Sequence, residues 1–424
     1  MIRFITFCLC LFSFLHAGAE EKVDVLRQKA ESGDAAAQFK LADEYFYGTG
    51  TRKQNHTLAA HWFRMAANKG VTEAMFNYAL CLDQGLGVER DPFKAAEYYA
   101  KAAEKKTIPH AVFNHALILR DGVTCKDEKD RKKKPEGYTF TPDPEKAWSL
   151  IRELAEKKYP PAMTEWAEHL LQKKETSGDK GKRIFQLLTD AAKSPHAPPE
   201  THVLLADCYF NGTGTLPDGK KMIQSLENGV AAGDTTAALK LAYWLEMGIY
   251  VEKQDPERAL TLYRAAAKAG IPEALVKVGD AVSEGKIPDI KKENAAEYYR
   301  LAASAKHPKA WFRLGELVEP EDRKKAAESY YESARLGYPR AQYRVGMFFL
   351  EKDGPMGYDP TAAVYWFQQG MKNNDAPSMR ALAVCLYHGN GCEPDRNAAM
   401  LLLRKAAENG DVRAMDMIKR GAMP

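Results

Sequence analysis

The chain has 424 residues, 45% of them hydrophobic, and a net charge of +4 from 61 Lys and Arg against 57 Asp and Glu. That length would hold two or three globular domains or one extended array of repeats. A balance so near neutral, with no concentrated basic face, excludes the electrostatic footprint of a nucleic-acid binder.

The chain begins with a targeting pattern. Arg3 supplies a positive start, residues 2–15 an apolar run, and Ala17-Gly18-Ala19 an A-x-A cleavage site before Glu20. Residues 1–19 are therefore expected to be a signal peptide. The run is short for a membrane span, and nothing later in the chain is apolar enough to cross a bilayer. Cys8 and Cys10 lie inside the run rather than at the cleavage site, which argues against a lipid anchor. The mature protein is expected to be exported and soluble.

Residues 37–70 and 71–106 then state one pattern twice. In the second copy, Ala74, Tyr78, Ala79 and Leu82 share a helical face at 3–4 spacing. Gly85-Leu86-Gly87 breaks that helix, because glycine tolerates the positive φ of a helix end. Asp91-Pro92 starts another: the carboxylate caps free N–H groups and proline suits the first helical position. Ala95, Ala96, Tyr98, Tyr99, Ala102 and Ala103 follow. Neither helix buries its stripe alone, so the unit needs neighbours. A period of about 36 residues made of such hairpins marks a solenoid.

The wording of these units, an A-x-A-x-(Y/F)-x-L-G helix, a G-x-G loop and an A-x-x-(W/Y)-(Y/F)-x-x-A-A helix, resembles the Sel1-like repeat family, a relative of the tetratricopeptide repeat. The resemblance covers nearly all of the chain after residue 19. It implies an all-α fold, a right-handed α-solenoid of about ten helical hairpins.

Further along, a third unit starts at Pro109 with Ala111, Phe113, Ala116 and Leu119, but its loop is swollen. Residues 126–134, KDEKDRKKK, read as a solvated, mobile stretch in an insertion at 123–142. Its cations are the part available to an acidic partner or a membrane surface. The second helix resumes at Asp143-Pro144. The fourth unit, 159–194, is degenerate, with residues 177–181 in place of the usual loop. Pro195, Pro198 and Pro199 mark a boundary between N-terminal repeats, 20–194, and C-terminal repeats, 195–424. The fifth unit regains the pattern with Tyr209 and Gly212-Thr213-Gly214. Units follow at 237–270, 272–306, 308–337, 339–374 and 378–410, the eighth with Val318-Glu319-Pro320-Glu321 as a tighter turn. Asp255-Pro256 and Asp359-Pro360 repeat the cap. A single helix at 412–420 closes the array.

Five cysteines follow the leader: Cys81, Cys125, Cys208, Cys385 and Cys392. Exported proteins sit where disulfides persist. Cys385 and Cys392 bring two cysteine columns together in one repeat and are expected to form a local staple; the alternative is two small thiols packed as hydrophobes.

Catalytic signatures are thin. The Gly-x-Gly loops follow no strand and have no P-loop lysine, so they read as turns rather than phosphate cradles. Ser177–Lys180 and Ser283–Lys286 match S-x-x-K by spacing alone, without S-D-N or K-T-G companions. His110 and His115 lie about 140° apart around a helix and do not converge; His115 reads as a core residue. No metal site, catalytic residue or cofactor site is expected.

In this family, by resemblance, first helices line the concave face. The inward positions are Asp43, Asp83, Asp207, Asp280 and Glu316, with Phe210, Tyr243, Trp244 and Tyr387 between them. Carboxylates with aromatics suit a peptide or protein ligand, aromatics as anchors and acids setting orientation; the alternative is that the aromatics pack between repeats, as Phe39, Phe76, Phe113, Phe312 and Tyr343 do in one column. The resemblance implies a non-enzymatic scaffold or regulator that binds a protein; the leader makes it an exported one, the charge balance and the apolar pattern point to neither nucleic acid nor an integral membrane segment, and a monomer is expected. A different class is implied by cysteine-rich relatives associated with penicillin binding and β-lactam hydrolysis, from which this chain departs by lacking a cysteine pair in each repeat. Chain length and the absence of a C-terminal retrieval signal favour a bacterial source, and so the periplasm or the medium.

Overall fold

The computed structural model describes residues 19–50, 52–136 and 141–421. The leader expected at 1–19 lies outside them but for Ala19. The chain divides into two compact units, residues 1–225 and 226–424.

The first unit pairs Ala35–Tyr47 with His56–Asn68, Thr72–Gln84 with Pro92–Ala103, Pro109–Asp121 with Pro144–Glu156, and Pro160–Gln172 with Gly178–Ala192, followed by Glu200–Asn211. The helix Gly219–Ala231 spans the division. The second unit pairs Thr235–Met247 with Pro256–Lys268, Pro272–Ser283 with Ala295–Ser304, Pro308–Val318 with Arg323–Arg335, Pro339–Leu350 with Pro360–Lys372, and Ala376–His388 with Arg396–Glu408, then adds Val412–Arg420. Within each unit the paired helices pack on one another and on the next pair, so the architecture is an all-α solenoid. Among the described residues there is no strand.

Local chemistry sets the helix ends. Asp91, Asp255 and Asp359 each accept the backbone N–H three residues on, as their Asp-Pro pairs predict, and Asp143 does the same. Such a cap contributes about 1 kcal/mol. Gly85 and Gly389 end their helices in the left-handed region, at φ 74° and 73°.

The second glycine of each loop has another role. A Cβ on Gly87 would stand 2.1 Å from the His56 carbonyl, and one on Gly391 2.1 Å from the Pro360 carbonyl. The loop therefore lies directly on the start of the preceding repeat's second helix. It is a stacking contact as well as a turn.

The core is built from alanine and aromatic columns. Phe63, Tyr99, Tyr299, Tyr330 and Phe367 are buried at one position of five second helices. Tyr299, Tyr330 and Phe367 each lie against a glycine of their own first helix. A Cβ on Gly279 would come within 2.6 Å of the Tyr299 ring, and one on Gly346 within 2.4 Å of Phe367.

Two sequence expectations need correction, and one element is new. The first repeat is preceded by a helix, Ala19–Glu31, whose Leu26 and Ala30 pack on Ala37 and Leu41; its charged sequence hides the repeat pattern. Residues 177–181 do not replace the loop of the fourth unit, because the second helix already starts at Gly178 and Lys174 takes the left-handed position at φ 57°. The charged insertion is not a loose solvated loop where it is described: Glu128–Lys132 is a short helix, and Asp130 is only 4% exposed. An ion pair with Arg90, forty residues earlier, draws it onto the array.

Candidate protein-binding face

The first helices carry charged residues at repeating positions, and the structure shows what holds each one. In the second unit, Glu246 accepts from Tyr263 Oη at 2.8 Å and from Lys277 Nζ at 2.6 Å. Asp280 accepts from Tyr299 Oη at 2.9 Å and Lys309 Nζ at 3.0 Å, and an Arg313 guanidinium nitrogen reaches it at 3.3 Å. Glu319 accepts from Tyr330 Oη at 2.8 Å and pairs with Arg344. In each case acid and tyrosine belong to one repeat and the cation to the next first helix. A ladder of Tyr–carboxylate–cation contacts thus ties successive repeats. Burial would raise the Asp280 carboxyl; Lys309, Tyr299 and Arg313 outweigh it and hold the group below the usual carboxylate range.

The first unit builds the same rungs differently. Asp43 accepts from the Asn77 amide at 3.3 Å, and burial pushes its carboxyl up to about 6. Asp83 is held by Arg90 at 3.4 Å. One rung is reversed: Arg120, in the register of Glu246, pairs with Glu165, in the register of Lys277. The Arg120 guanidinium also lies 5.1 Å over the Trp148 ring, which stacks on His169 at 3.7 Å.

The predicted site residues therefore separate into groups. Asp83 and Asp280 are engaged inside the chain, and Glu316 is exposed but paired with Arg313 at 2.7 Å. Asp43 and Asp207 are half-buried. Tyr387 is half-buried with Arg396 5.2 Å over its ring. Phe210 and Tyr243 are each 45% exposed. Trp244 sits edge-on between Tyr243 at 5.1 Å and Tyr250 at 5.2 Å. Tyr250, Met247 and Ile249 widen that exposed patch; the sequence reading missed them because it followed helix positions and these lie at the helix end and loop. The Phe39 column packs inward, within each hairpin and onto the next: Phe39 lies 6.0 Å from Phe63, Phe76 5.9 Å from Tyr99 and 6.0 Å from His110, and Phe312 5.2 Å from Tyr330 and 5.0 Å from Tyr338.

The Cys385–Cys392 staple is not formed in the structure. Both thiols are free, Cys385 within a core cluster with Ala363 and Phe367, and Cys392 half-buried with its Sγ 4.0 Å from the Asn390 carbonyl. Burial pushes the Cys81 and Cys208 thiols up to about 12. His115 is half-buried, its Nδ1 has no hydrogen-bond partner, and burial lowers its proton affinity. Among the described residues no group of three or more His, Cys, Asp or Glu side chains is placed to hold a metal ion, and no helix is long and apolar enough to cross a membrane. An open depression of ≈ 490 Å³ includes Tyr343, Arg380, Asp411 and Arg413. Arg380 there already pairs with Asp411 at 3.0 Å.

A family model described as Sel1 repeat matches residues 35–71, 72–106, 199–221, 235–271, 272–307, 339–375 and 376–411. The hairpins it passes over carry the insertion or lack the glycine loop. Among solved structures, a protective antigen of uropathogenic Escherichia coli strains with an SLR fold is 24% identical, with a TM-score of 0.57 over 94% of this chain and 91% of that one. A Sel1 repeat protein from Oxalobacter formigenes is 19% identical, with a TM-score of 0.49 over 95% and 90%. No match was found among curated proteins.

Proposed function

Because the chain belongs to the Sel1 repeat family, whose solenoids are generally protein-interaction scaffolds, we propose that it is an exported, non-enzymatic scaffold or regulator that binds a protein or peptide on its first-helix side. The observation that carries this reading is the exposed patch of Tyr243, Met247, Ile249 and Tyr250 around Trp244. Tyrosine and tryptophan are efficient interface anchors, since they bring large area at low conformational-entropy cost. The neighbouring Glu246 is already engaged by Tyr263 and Lys277, so the aromatics rather than that acid meet the partner.

Two thiols buried late in first helices are poor candidates for a nucleophile. Cys81 and Cys208 are buried and kept protonated, whereas a cysteine nucleophile acts as its thiolate. Export is supported by Arg3, the apolar run and Ala17-Gly18-Ala19; a mature N-terminus at Glu20 is the expected result of terminal sequencing.

The test is crosslinking and affinity capture in the native host, followed by binding measurements on the captured partner. Tyr243→Ala with Tyr250→Ala is expected to weaken binding by about 2 kcal/mol or more. Tyr365→Ala, on a second helix and similarly exposed, is expected to leave binding unchanged. Equal affinity in all three proteins would sink this placement of the site.

A further inference from the structure

Residues 126–134 hold six cations and three acids. The fold sorts them. Asp127 accepts the Asp130 N–H at 2.9 Å and so caps the short helix. Asp130 turns inward, accepts the Lys126 N–H at 2.8 Å and pairs with Arg90. Arg90 in turn donates to the Asp83 carbonyl at 2.6 Å and the Thr124 carbonyl at 3.2 Å. Lys133 is half-buried, pairs with Glu89 at 2.9 Å and donates to the Arg90 carbonyl. Asp130 and Lys133 thus hold the insertion on the loop of the second repeat, and Asp127 shapes its helix.

The groups left outside are mostly basic. Lys126, Arg131, Lys132 and Lys134 are exposed. Lys132 has only a 3.9 Å pair with Glu128, which is itself 80% exposed. Lys129 reaches Glu89 at 3.1 Å from an exposed position. Through Arg90 and Asp83 this group sits at the end of the first helix Thr72–Gln84.

We propose that residues 122–136 form a preorganised cationic knob that docks an acidic segment of the protein partner. This deepens the scaffold reading and rests on it. Opposite charge gives the knob on-rate and selectivity for carboxylate-rich sequence. Its fixed shape lowers the ordering cost of binding, which suits a partner of defined shape. A membrane surface fits less well: residues 122–136 contain no aromatic residue, and no aliphatic one but Val123 and Pro135, to enter the interface.

The test uses the full mature chain and a fluorescently labelled peptide alternating Glu and Ser, with a Lys-for-Glu peptide and phosphatidylserine-containing vesicles as the other arms. The parent is expected to bind the Glu peptide and to lose about tenfold in affinity between about 50 and about 200 mM salt. Lys126→Gln, Arg131→Gln, Lys132→Gln and Lys134→Gln together are expected to cost about tenfold. The same number of neutralisations at Lys182, Lys193, Lys221 and Lys268 is expected to cost little. Asp130→Asn is the sharper variant. It makes the chain more basic, yet by releasing Arg90 and the helix it is expected to weaken binding about threefold or more. Absence of Glu-peptide binding, equal losses in the two neutralised sets, unchanged or tighter binding by Asp130→Asn, or preference for vesicles would each overturn the proposal. The Tyr243 and Tyr250 variants are expected to keep full Glu-peptide affinity. Loss of partner capture in them alone, with no effect of the knob set, would overturn the knob and leave the scaffold reading standing; the reverse pattern would relocate the binding face and leave the knob.

Discussion

In the second unit Lys277, Arg313 and Arg344 each reach back to a carboxylate of the preceding repeat, whereas in the first unit the same register holds Asn77, Asn114 and Glu165. At these three rungs the second unit answers the acid with a cation and adds a tyrosine hydroxyl. The first unit leaves Asp43 with an amide, and reverses polarity where Glu165 meets Arg120. The stacking geometry is shared, so this position does not demand one charge. It demands a partner one repeat away. A carboxylate without a cation rises toward neutrality, as Asp43 does, while one with two cations stays ionised, as Asp280 does.

The largest expected effect concerns what both units share. Gly87→Ala in the first unit and Gly391→Ala in the second each drive a Cβ into the preceding helix, and each is expected to cost about 3 kcal/mol or more. Gly50, the same loop position in the first repeat, has nothing nearer than 4.0 Å. Gly50→Ala therefore carries only the left-handed strain, about 1 kcal/mol. Hydrogen exchange resolved by repeat measures each, because an array need not unfold in one step. Equal costs at Gly50 and Gly87 would refute the stacking role.

Smaller effects break the comparison itself. Arg120→Glu and Glu165→Arg are each expected to destabilise the first unit by about 2 kcal/mol, since each leaves two like charges facing. Combined, they give the polarity used in the second unit, and more than half the loss is expected back. A simple sum of the two losses would show that the rung has no pairwise content.

The smallest effect is a pH dependence. Asp43 has a folded value of about 6 against about 3.9 for an unfolded aspartate. Below the unfolded value both states are protonated and the group is neutral to stability. As pH rises toward 6 the unfolded state ionises first, so stability falls across that window and the penalty stays constant above it. Asp43→Asn is expected to remove this fall, read as denaturation midpoints at pH 4 and pH 7. Asn77→Lys supplies the second-unit cation and is expected to lower the Asp43 titration seen by NMR. No change would mean that burial alone, without the partner, sets the difference between the units.

How far the sequence could be read follows from the range of each interaction. Asp91-Pro92 and Gly85 act within one turn of helix, so caps and ends were legible. The alanine and aromatic columns recur with the repeat, so the hairpins and their stacking were legible too. Helix Ala19–Glu31 was not, because Leu26 and Ala30 pack on the array while Arg27, Gln28 and Lys29 between them stand exposed. The exposed aromatics near Tyr243 were half legible: the pattern placed Tyr243 and Trp244, and only the fold added Tyr250 from the loop.

By itself, then, the sequence determined the helical hairpin, its period, its caps and the residues of its core, because those depend on spacing along one chain segment. Only the tertiary structure decided which charges are engaged and which are presented. Lys277 meets Glu246 across 31 positions and Arg90 meets Asp130 across 40. Such partners are chosen by the stacking offset between repeats, and a charged side chain carries no mark of its partner until that offset brings the two together in a region of low dielectric.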